Sequence, residues 1–117
     1  MQVRTRHHPL VIENVMEAIA NPRRRQILRL VWDAERSAGE IAAASDVTWP
    51  AVSQNLRLLK NSGLLIERRE GTHRYYRVDR QALGPLEAIL RQMWTRDLGR
   101  LKQAAEQEAR SRRRRHD

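Results

Sequence analysis

Cysteine is absent from the sequence, and so is any long hydrophobic run. Without cysteine the chain has no disulfide bond, no thiolate-bound metal and no cysteine nucleophile. No apolar stretch approaches the roughly 20 residues that a helix needs to cross a bilayer. Residues 1–9 carry charge but no apolar segment behind it, so no secretory signal is expected. These absences lead us to expect a cytoplasmic protein.

Acidic residues are few relative to basic ones. The 117 residues include 23 lysines and arginines against 14 aspartates and glutamates, a formal net charge of +9. Such a balance favours a polyanionic partner, either nucleic acid or an anionic membrane surface. Residues 110–117 hold five arginines and one aspartate, so they contribute +4 and the body keeps +5. We predict a basic, disordered tail over 110–117, a flexible N-terminus over 1–8 and one domain over 9–109.

Apolar spacing and capping residues predict four helices in the first half. Apolar side chains recur at helical intervals over 10–20. Asn21 and Pro22 suit the N-cap and the first position of a second helix. Ser37 and Glu40 have the spacing of a capping box, which predicts a short third helix.

Thr48 is predicted to cap a fourth helix that ends at Gly63. Val52, Leu56 and Leu59 recur at i, i+4 and i+7 and form its buried stripe. The third and fourth helices meet across residues 44–47, which is the helix–turn–helix arrangement.

At the start of the second half, the spacing of apolar residues changes from the helical period to that of β-strands. Residues 64–69 and 74–78 favour β-strands, and residues 70–73 favour a hairpin tip between them. The hairpin is basic, and like charges on facing strands are unfavourable unless an anionic partner binds. Its arginines are Arg68, Arg69, Arg74 and Arg77.

From Gln81 to about Arg110, apolar residues recur every three or four positions, which predicts one long helix. Pro85 predicts a kink or a later start. A single small domain cannot easily cover so long an apolar stripe, whereas a second subunit can. The predicted fold is therefore mainly α with a small β-hairpin: a winged helix–turn–helix with a long C-terminal dimerisation helix.

Five segments, in order along the chain, resemble the ArsR-type (arsenical-resistance repressor-like) winged-helix family. They are residues 20–28, 39–42, 47–59, 63–65 and 68–78. Each motif alone is weak, but the ordered set is specific and covers roughly residues 10–105. The resemblance implies a dimeric repressor of transcription that pairs its subunits through the first and last helices. The apolar residues there that we assign to this interface are Val11, Ile12, Val15, Leu90, Met93, Trp94, Leu98 and Leu101.

The sequence departs from this family at the sensing residues. Many members sense metals through cysteine, which is absent here, and others use His and carboxylates on the last helix, whereas residues 82–109 contain no His. The last helix resembles a metal-independent subgroup. A pair formed by His7 and His8 with Glu106 or Glu108 is the remaining metal hypothesis, and we expect no metal and no cofactor.

The fourth helix is the expected reader of the DNA major groove, which accommodates a helix of this width. Gln and Asn make paired hydrogen bonds to adenine, and Arg makes them to guanine. We assign base edges to Ser53, Gln54, Asn55 and Arg57. We assign phosphates to Thr48, Lys60, Arg69, Thr72, His73 and Arg74. Ala51 and Asn55 flank the reading face, and Trp49 is also assigned to the DNA-binding surface. For each polar residue alone, the alternative is an ordinary solvated side chain.

The aromatic residues leave alternatives open. Trp49 either stacks on sugar or backbone at the groove edge or covers the neighbouring helix; it and Asn55 stand where the family commonly has polar or basic residues and His. Trp32 and Trp94 are expected in the core or in a dimer contact. Tyr75 and Tyr76 alternate along a strand, so one is expected to face inward and the other outward.

Three functions fit these observations. The first is a homodimeric, sequence-specific repressor whose recognition helices lie about 34 Å apart on a palindromic operator. The second is a metal- or ligand-responsive version of the same dimer. The third is a winged-helix module that binds RNA or protein. An enzyme is not expected, because no carboxylate pair or nucleophile–base set stands at a recognisable spacing.

Overall fold

The computed structural model describes residues 12–116. Helix α1 spans Ile12–Ala20, α2 spans Pro22–Leu30, α3 spans Ala38–Ala43 and α4 spans Trp49–Asn61. Strand β1 is Arg36–Ser37, β2 is Leu65–Glu70 and β3 is His73–Val78. Helix α5 (Arg80–Leu83) and a single 3₁₀ turn (Gly84–Leu86) then lead into α6, Glu87–His116. The winged helix–turn–helix prediction is confirmed.

The predicted caps define the helix starts. The Asn21 side chain accepts a hydrogen bond from the Arg23 amide at 2.8 Å, which satisfies a free N–H of the first turn of α2. Ser37 Oγ accepts from the Glu40 amide at 3.0 Å, and the Ser37 amide donates to Glu40 Oε1 at 2.8 Å. This reciprocal pair is the predicted capping box, and it fixes the orientation in which α3 enters the helix–turn–helix.

The sheet has three antiparallel strands in the order β1-β3-β2. The sequence predicts only the hairpin of β2 and β3. Strand β1 is two residues long, too short for an alternating pattern, and it forms by pairing Arg36 with Tyr76 and Ser37 with Tyr75. The hairpin tip is tighter than predicted, because Glu70 pairs with His73 and leaves the loop as Gly71-Thr72.

One hydrophobic core holds the helices against the sheet. It combines residues of α1, α2, α3, α4, strands β2 and β3, α5 and the first half of α6. The stripe of Val52, Leu56 and Leu59 is fully buried in it, as predicted. Trp32 and Trp94 also lie in the core, with ring centroids 5.5 Å apart in an edge-to-face arrangement.

The long C-terminal helix differs from the prediction at both ends. A 3₁₀ turn containing Pro85 separates α5 from α6, so the helix proper begins at Glu87. At the other end α6 continues to His116, where the sequence predicts a disordered tail from residue 110. Residues 101–110 consist of good helix formers, and Glu108 accepts an i,i+4 hydrogen bond from Arg112 at 3.1 Å. Helix propensity and this hydrogen bond together outweigh the repulsion among the arginines, so the helix continues.

Candidate nucleic-acid interface

Helix α4 presents a polar face opposite its buried stripe. Thr48 caps the helix, its Oγ1 accepting from the Ala51 amide at 3.4 Å. Gln54 and Arg57 are exposed, and Asn55 is half-buried. A polar face on a helix held rigidly by its apolar side is the arrangement needed to insert into a groove.

A groove lies between α3, the start of α4 and the hairpin tip. Its volume is about 800 Å³. The lining residues are Ser37, Ala38, Gly39, Glu40, Ala43, Trp49, Ser53, Leu56, Thr72, His73, Arg74 and Tyr76. The structure thus brings two predicted residues of α4, Trp49 and Ser53, together with the three predicted residues of the tip.

The other predicted residues lie outside this groove. Gln54, Arg57 and Arg69 are exposed elsewhere, and Ala51 is half-buried in the first turns of α4. Lys60 Nζ lies 3.2 Å from Glu67 Oε1 and is about 44% exposed in its side chain. This ammonium group therefore already has an anionic neighbour at the far end of the helix.

Trp49 stands at the mouth of this groove. Its residue surface is 54% exposed at the first position of α4, and it lines the groove together with residues of α3. More than half of the residue is therefore open to an occupant of the groove, and its stacking on DNA stays a prediction. A Trp ring so exposed next to polar groups offers a flat apolar contact with a polar N–H at its edge.

Charge on the hairpin is balanced more than the sequence suggests. Arg68 donates to Glu35 at 2.8 Å and to Glu70 at 2.7 Å, and its guanidinium lies 4.5 Å from the Tyr75 ring centroid. These hydrogen bonds raise the pKa of Arg68 above its ordinary value. The expected repulsion between facing strands is thus confined to the directly paired Arg69 and Arg74.

Glu67 anchors the inner side of the hairpin. Burial by itself would raise the pKa of this carboxyl group, but hydrogen bonds from Tyr76 and Lys60 hold the pKa below its ordinary value. The Tyr76 hydroxyl donates to Glu67 Oε2 at 2.8 Å. Burial, followed by this bond, raises the pKa of Tyr76. Tyr76 is buried and Tyr75 lies half-exposed on the other face, as the alternation predicts.

Sequence reasoning missed the position of Glu40 and the part played by Arg25. Glu40 is recognisable as a capping residue, but only the fold shows that it lines the groove beside the wing. Arg25 is 5% exposed; it donates to Asp97 at 2.7 and 2.9 Å and to the Ile19 carbonyl at 2.8 Å. Spacing in the sequence gives no signal for a pair so distant in the chain.

The predicted dimer residues differ in how far they are exposed. Val15, Leu90 and Trp94 are buried in the core of one chain, so they are not available to a second subunit and this part of the prediction is wrong. Helical periodicity cannot distinguish burial within a chain from burial between chains. Leu98 and Leu101 are 47% and 66% exposed.

Met93 is half-buried, Ile12 is described only as part of the α1 backbone, and Val11 lies outside the described residues. Three exposed apolar residues, Met16, Leu58 and Ile89, were not predicted as interface residues.

Within residues 12–116, no helix combines the length and apolar character needed to cross a membrane. The same part of the chain shows no cluster of three His, Cys, Asp or Glu side chains suited to a metal ion. His7 and His8, the basis of the metal hypothesis, lie outside it.

Comparison with known proteins gives a family and several relatives. Residues 21–67 match the sequence model of "Bacterial regulatory protein, arsR family". The HTH-type transcriptional regulator Rv2034 of Mycobacterium tuberculosis is 36% identical over 86 residues, 74% of this chain and 80% of that protein. The regulator Rv0324 of the same organism is 40% identical over 79 residues, 68% of this chain, so the match spans about a third (35%) of Rv0324. The transcriptional repressor SdpR of Bacillus subtilis is 33% identical over 62% of this chain and 80% of that protein.

A solved structure has the same architecture. The homodimeric winged helix–turn–helix DNA-binding domain Mb0332 from Mycobacterium bovis, determined by solution NMR, is 38% identical, with a TM-score of 0.63. The similarity covers 72% of this chain and 78% of that one. The match therefore includes the helix–turn–helix and its wing together rather than a single motif. The chain belongs to the arsR family of bacterial regulatory proteins.

Proposed function

We propose that this protein is a homodimeric repressor that binds a palindromic DNA operator through α4. The observation that carries this is the joint geometry of α4 and the hairpin. The Trp49 and Ser53 side chains share one groove with Thr72, His73 and Arg74, while Gln54 and Arg57 stand exposed beside it. A helix that enters the major groove can therefore be flanked by a wing that contacts the backbone.

Different residues would supply sequence specificity and general affinity. Gln54 and Arg57 carry the side chains that make paired hydrogen bonds to adenine and guanine edges, and Ser53 and Asn55 lie beside them. Arg74, His73 and Thr72 at the wing would contact phosphates. Trp49 would pack its exposed ring against sugar or a thymine methyl group at the groove edge.

Lys60 and Arg69 contribute less to phosphate binding than the sequence implied. Both have Glu67 as a neighbour, at 3.2 and 3.4 Å. The Glu67 side chain is only 10% exposed, so a cation that leaves it for a phosphate leaves a largely buried carboxylate uncompensated and gains little net energy. Thr48 is engaged in capping, so its role is to direct the free N–H groups at the start of α4 toward a phosphate.

A homodimer is supported by the exposed apolar residues Met16, Ile89, Leu98 and Leu101 and by the homodimeric state of the Mb0332 domain. Repression is supported by the relationship to SdpR, a transcriptional repressor. We place such a regulator in the cytoplasm with the chromosome, and we assign it no catalytic activity and no cofactor.

The test is footprinting on the DNA upstream of the gene that encodes the protein, with wild type and a Gln54→Ala/Arg57→Ala variant. We expect the wild type to protect an imperfect palindrome. The variant should lose about 2–4 kcal/mol of sequence-specific affinity while it retains salt-sensitive non-specific binding.

A matched control is Gln92→Ala/Arg96→Ala, which removes the same two residue types, about one helical turn apart, from the exposed side of α6 that faces away from Leu98 and Leu101. These residues lie outside the groove, so protection should persist at wild-type protein concentrations. Equal footprints from all three proteins would show that α4 does not read the operator.

A further inference from the structure

We propose that the arginine-rich end of α6, residues 110–115, is a second DNA-contacting element that binds duplex phosphates outside the base pairs read by α4. This inference rests on the proposed DNA-binding function and adds a surface to it. The segment carries five of the protein's 23 basic residues within six positions, and all six side chains are exposed.

The direction of α6 carries it out of the body of the chain beside the turn that leads into the recognition helix. Along α6, Trp94 contacts Trp32 past the end of α2, and Asp97 then binds Arg25 within it. Leu98 and Leu101 next line a cavity of about 350 Å³ with Pro22 and Arg23 at the start of α2. The two helices are therefore antiparallel, and α6 continues past the N-terminus of α2.

The turn before the recognition helix lies at the same place. Asp46 lines that cavity together with Arg100 and Leu101, and Asp46 precedes Trp49 by three residues. The unsupported half of α6 therefore starts beside the entry to α4. At about 1.5 Å per residue, the 14 residues that follow Leu101, 102–115, extend roughly 21 Å.

The segment has strong charge and little internal compensation. Among the described residues it has one ion pair, Arg112 with Glu108 at 3.1 Å, and both side chains are more than 60% exposed. Such a pair is worth little and exchanges readily for a phosphate. Because successive helical residues are rotated by about 100°, the arginines at 110 and 112–115 surround the helix axis. A helix with cations on all sides suits a polyanion that is recognised by charge rather than by one specific face.

The composition of this half of α6 favours duplex phosphates over other polyanionic surfaces. After Leu101 the described helix contains no apolar residue larger than alanine, so it lacks the apolar face that an interfacial membrane helix inserts. That part of the helix contains no Phe, Tyr or Trp either, and stacking on such rings is the usual means of holding single-stranded bases. The interaction left to this part of the helix is the binding of phosphate by arginine. In the proposed complex, the nearest polyanion is the operator itself.

The reach of the helix defines the experiment. A length of roughly 21 Å corresponds to about six base pairs at 3.4 Å each. Two duplexes centred on the footprinted site are compared, a short one of about 24 base pairs and one extended by about 10 base pairs on each side, which exceeds that reach. Affinities are measured between 50 and 200 mM salt for the wild-type full chain and for a variant with all five arginines changed to Gln. Gln keeps the helix propensity and removes the charge.

We expect the extension to raise wild-type affinity about tenfold at the lowest salt and to steepen its salt dependence by about 0.9 for each added phosphate contact. In the variant the gain from the extension should disappear, while its affinity for the short duplex and its sequence preference stay as in the wild type. Arg113→Gln/Arg114→Gln should lose part of the gain. Arg96→Gln/Lys102→Gln, which removes two exposed cations from the same helix outside the segment, should keep it.

Three outcomes overturn the inference. If wild type and variant gain equally from the extension, the arginines do not contact flanking DNA, although the proposed function stands. If the arginines instead increase binding to single-stranded RNA of the same length above that to the duplex, the partner is RNA. If the wild type shows no sequence preference on either duplex, the proposed function itself fails, and the Gln54→Ala/Arg57→Ala variant will then behave as wild type.

Discussion

Arg25 and Asp97 are separated by 72 positions in the sequence and joined by two hydrogen bonds of 2.7 and 2.9 Å. The arginine side chain is 6% exposed and the aspartate 20%. Trp94 adds a third bond between the same two helices, its Nε1 donating to the Arg25 carbonyl at 2.9 Å. These contacts fix α6 against α2, so the Arg25–Asp97 pair and Trp94 together set the orientation of the helix that carries the exposed leucines and the arginine-rich end.

Asp97→Asn removes the charge that compensates Arg25. We expect the free energy of unfolding to fall by about 3 kcal/mol, because a cation that is nearly fully buried is left without its anion. Urea denaturation at neutral pH measures this. Glu108→Gln is the matched control on the same helix; its exposed pair with Arg112 should contribute less than about 1 kcal/mol. Equal stability of Asp97→Asn and wild type would show that the pair does not hold α6.

The stability that the Arg25–Asp97 pair contributes depends on pH. The hydrogen bonds from Arg25, opposed by burial and aided by the nearby positive charge, hold the pKa of Asp97 below its ordinary value of 3.8. A lowered folded-state pKa gives stability that is complete above pH 3.8 and is lost as the pH falls through the folded pKa. In acid titrations, the free energy of unfolding of the wild type should fall in this pH range by an amount that is absent from Asp97→Asn, because asparagine at this position has no carboxylate to protonate.

At the scale of helices and strands, the sequence predicts those features that depend on neighbouring residues in the chain. Asn21, Ser37 and Thr48 each place a helix start correctly, because a side-chain oxygen at the N-cap is a local signal. Strand β1 could not be predicted, since two residues form a strand only by pairing with β3. The end of α6 was predicted as disordered from its charge, whereas helix propensity and the Glu108–Arg112 pair continue the helix.

The candidate site likewise combines features that local sequence patterns predict with features that depend on tertiary packing. The outward face of α4 follows from its buried stripe, so Gln54 and Arg57 could be predicted from periodicity alone. That the wing residues Thr72 and His73 share a groove with Trp49 depends on how the sheet packs against α3, which no local pattern encodes.

The wing depends on the backbone of Gly71, which has φ +61° in a two-residue loop. No atom lies within 4 Å of a Cβ placed there, so the strain of a substitution comes from the backbone alone. Gly71→Val should lower the free energy of unfolding by about 1–2 kcal/mol and weaken operator binding. Gly71→Asn is the control, since Asn tolerates positive φ; it should stay near wild type in thermal unfolding and in DNA titration. Similar losses for both variants would contradict this explanation.

At the scale of the whole molecule, the chain is longer than a compact domain requires. The radius of gyration is 16.9 Å, against about 13 Å for a compact chain of this length. The excess reflects the second half of α6, whose side chains from Gly99 to Arg115 are exposed. Leu98 and Leu101 lie where the body of one chain ceases to cover the helix, which is where a second subunit is expected.

Leu98→Glu/Leu101→Glu should therefore convert the proposed dimer to a monomer. Each leucine occurs twice in a two-fold interface, and loss of its burial costs about 1.5–3 kcal/mol, which weakens association by more than about 100-fold. Analytical ultracentrifugation measures the change. Gln92→Glu/Gln103→Glu adds the same charges on the opposite side of α6 and should remain dimeric. A dimeric leucine variant, or a monomeric glutamine variant, would place the interface elsewhere.

The three tryptophans give the protein separate optical reporters. Trp32 and Trp94 are buried in edge-to-face contact, so their coupled near-ultraviolet dichroism reports core packing and vanishes on unfolding. Trp49 is more than half exposed at the groove, so its red-shifted emission responds to an occupant of that groove. Folding and DNA binding can thus be followed in one unlabelled sample, at different wavelengths and without an added dye.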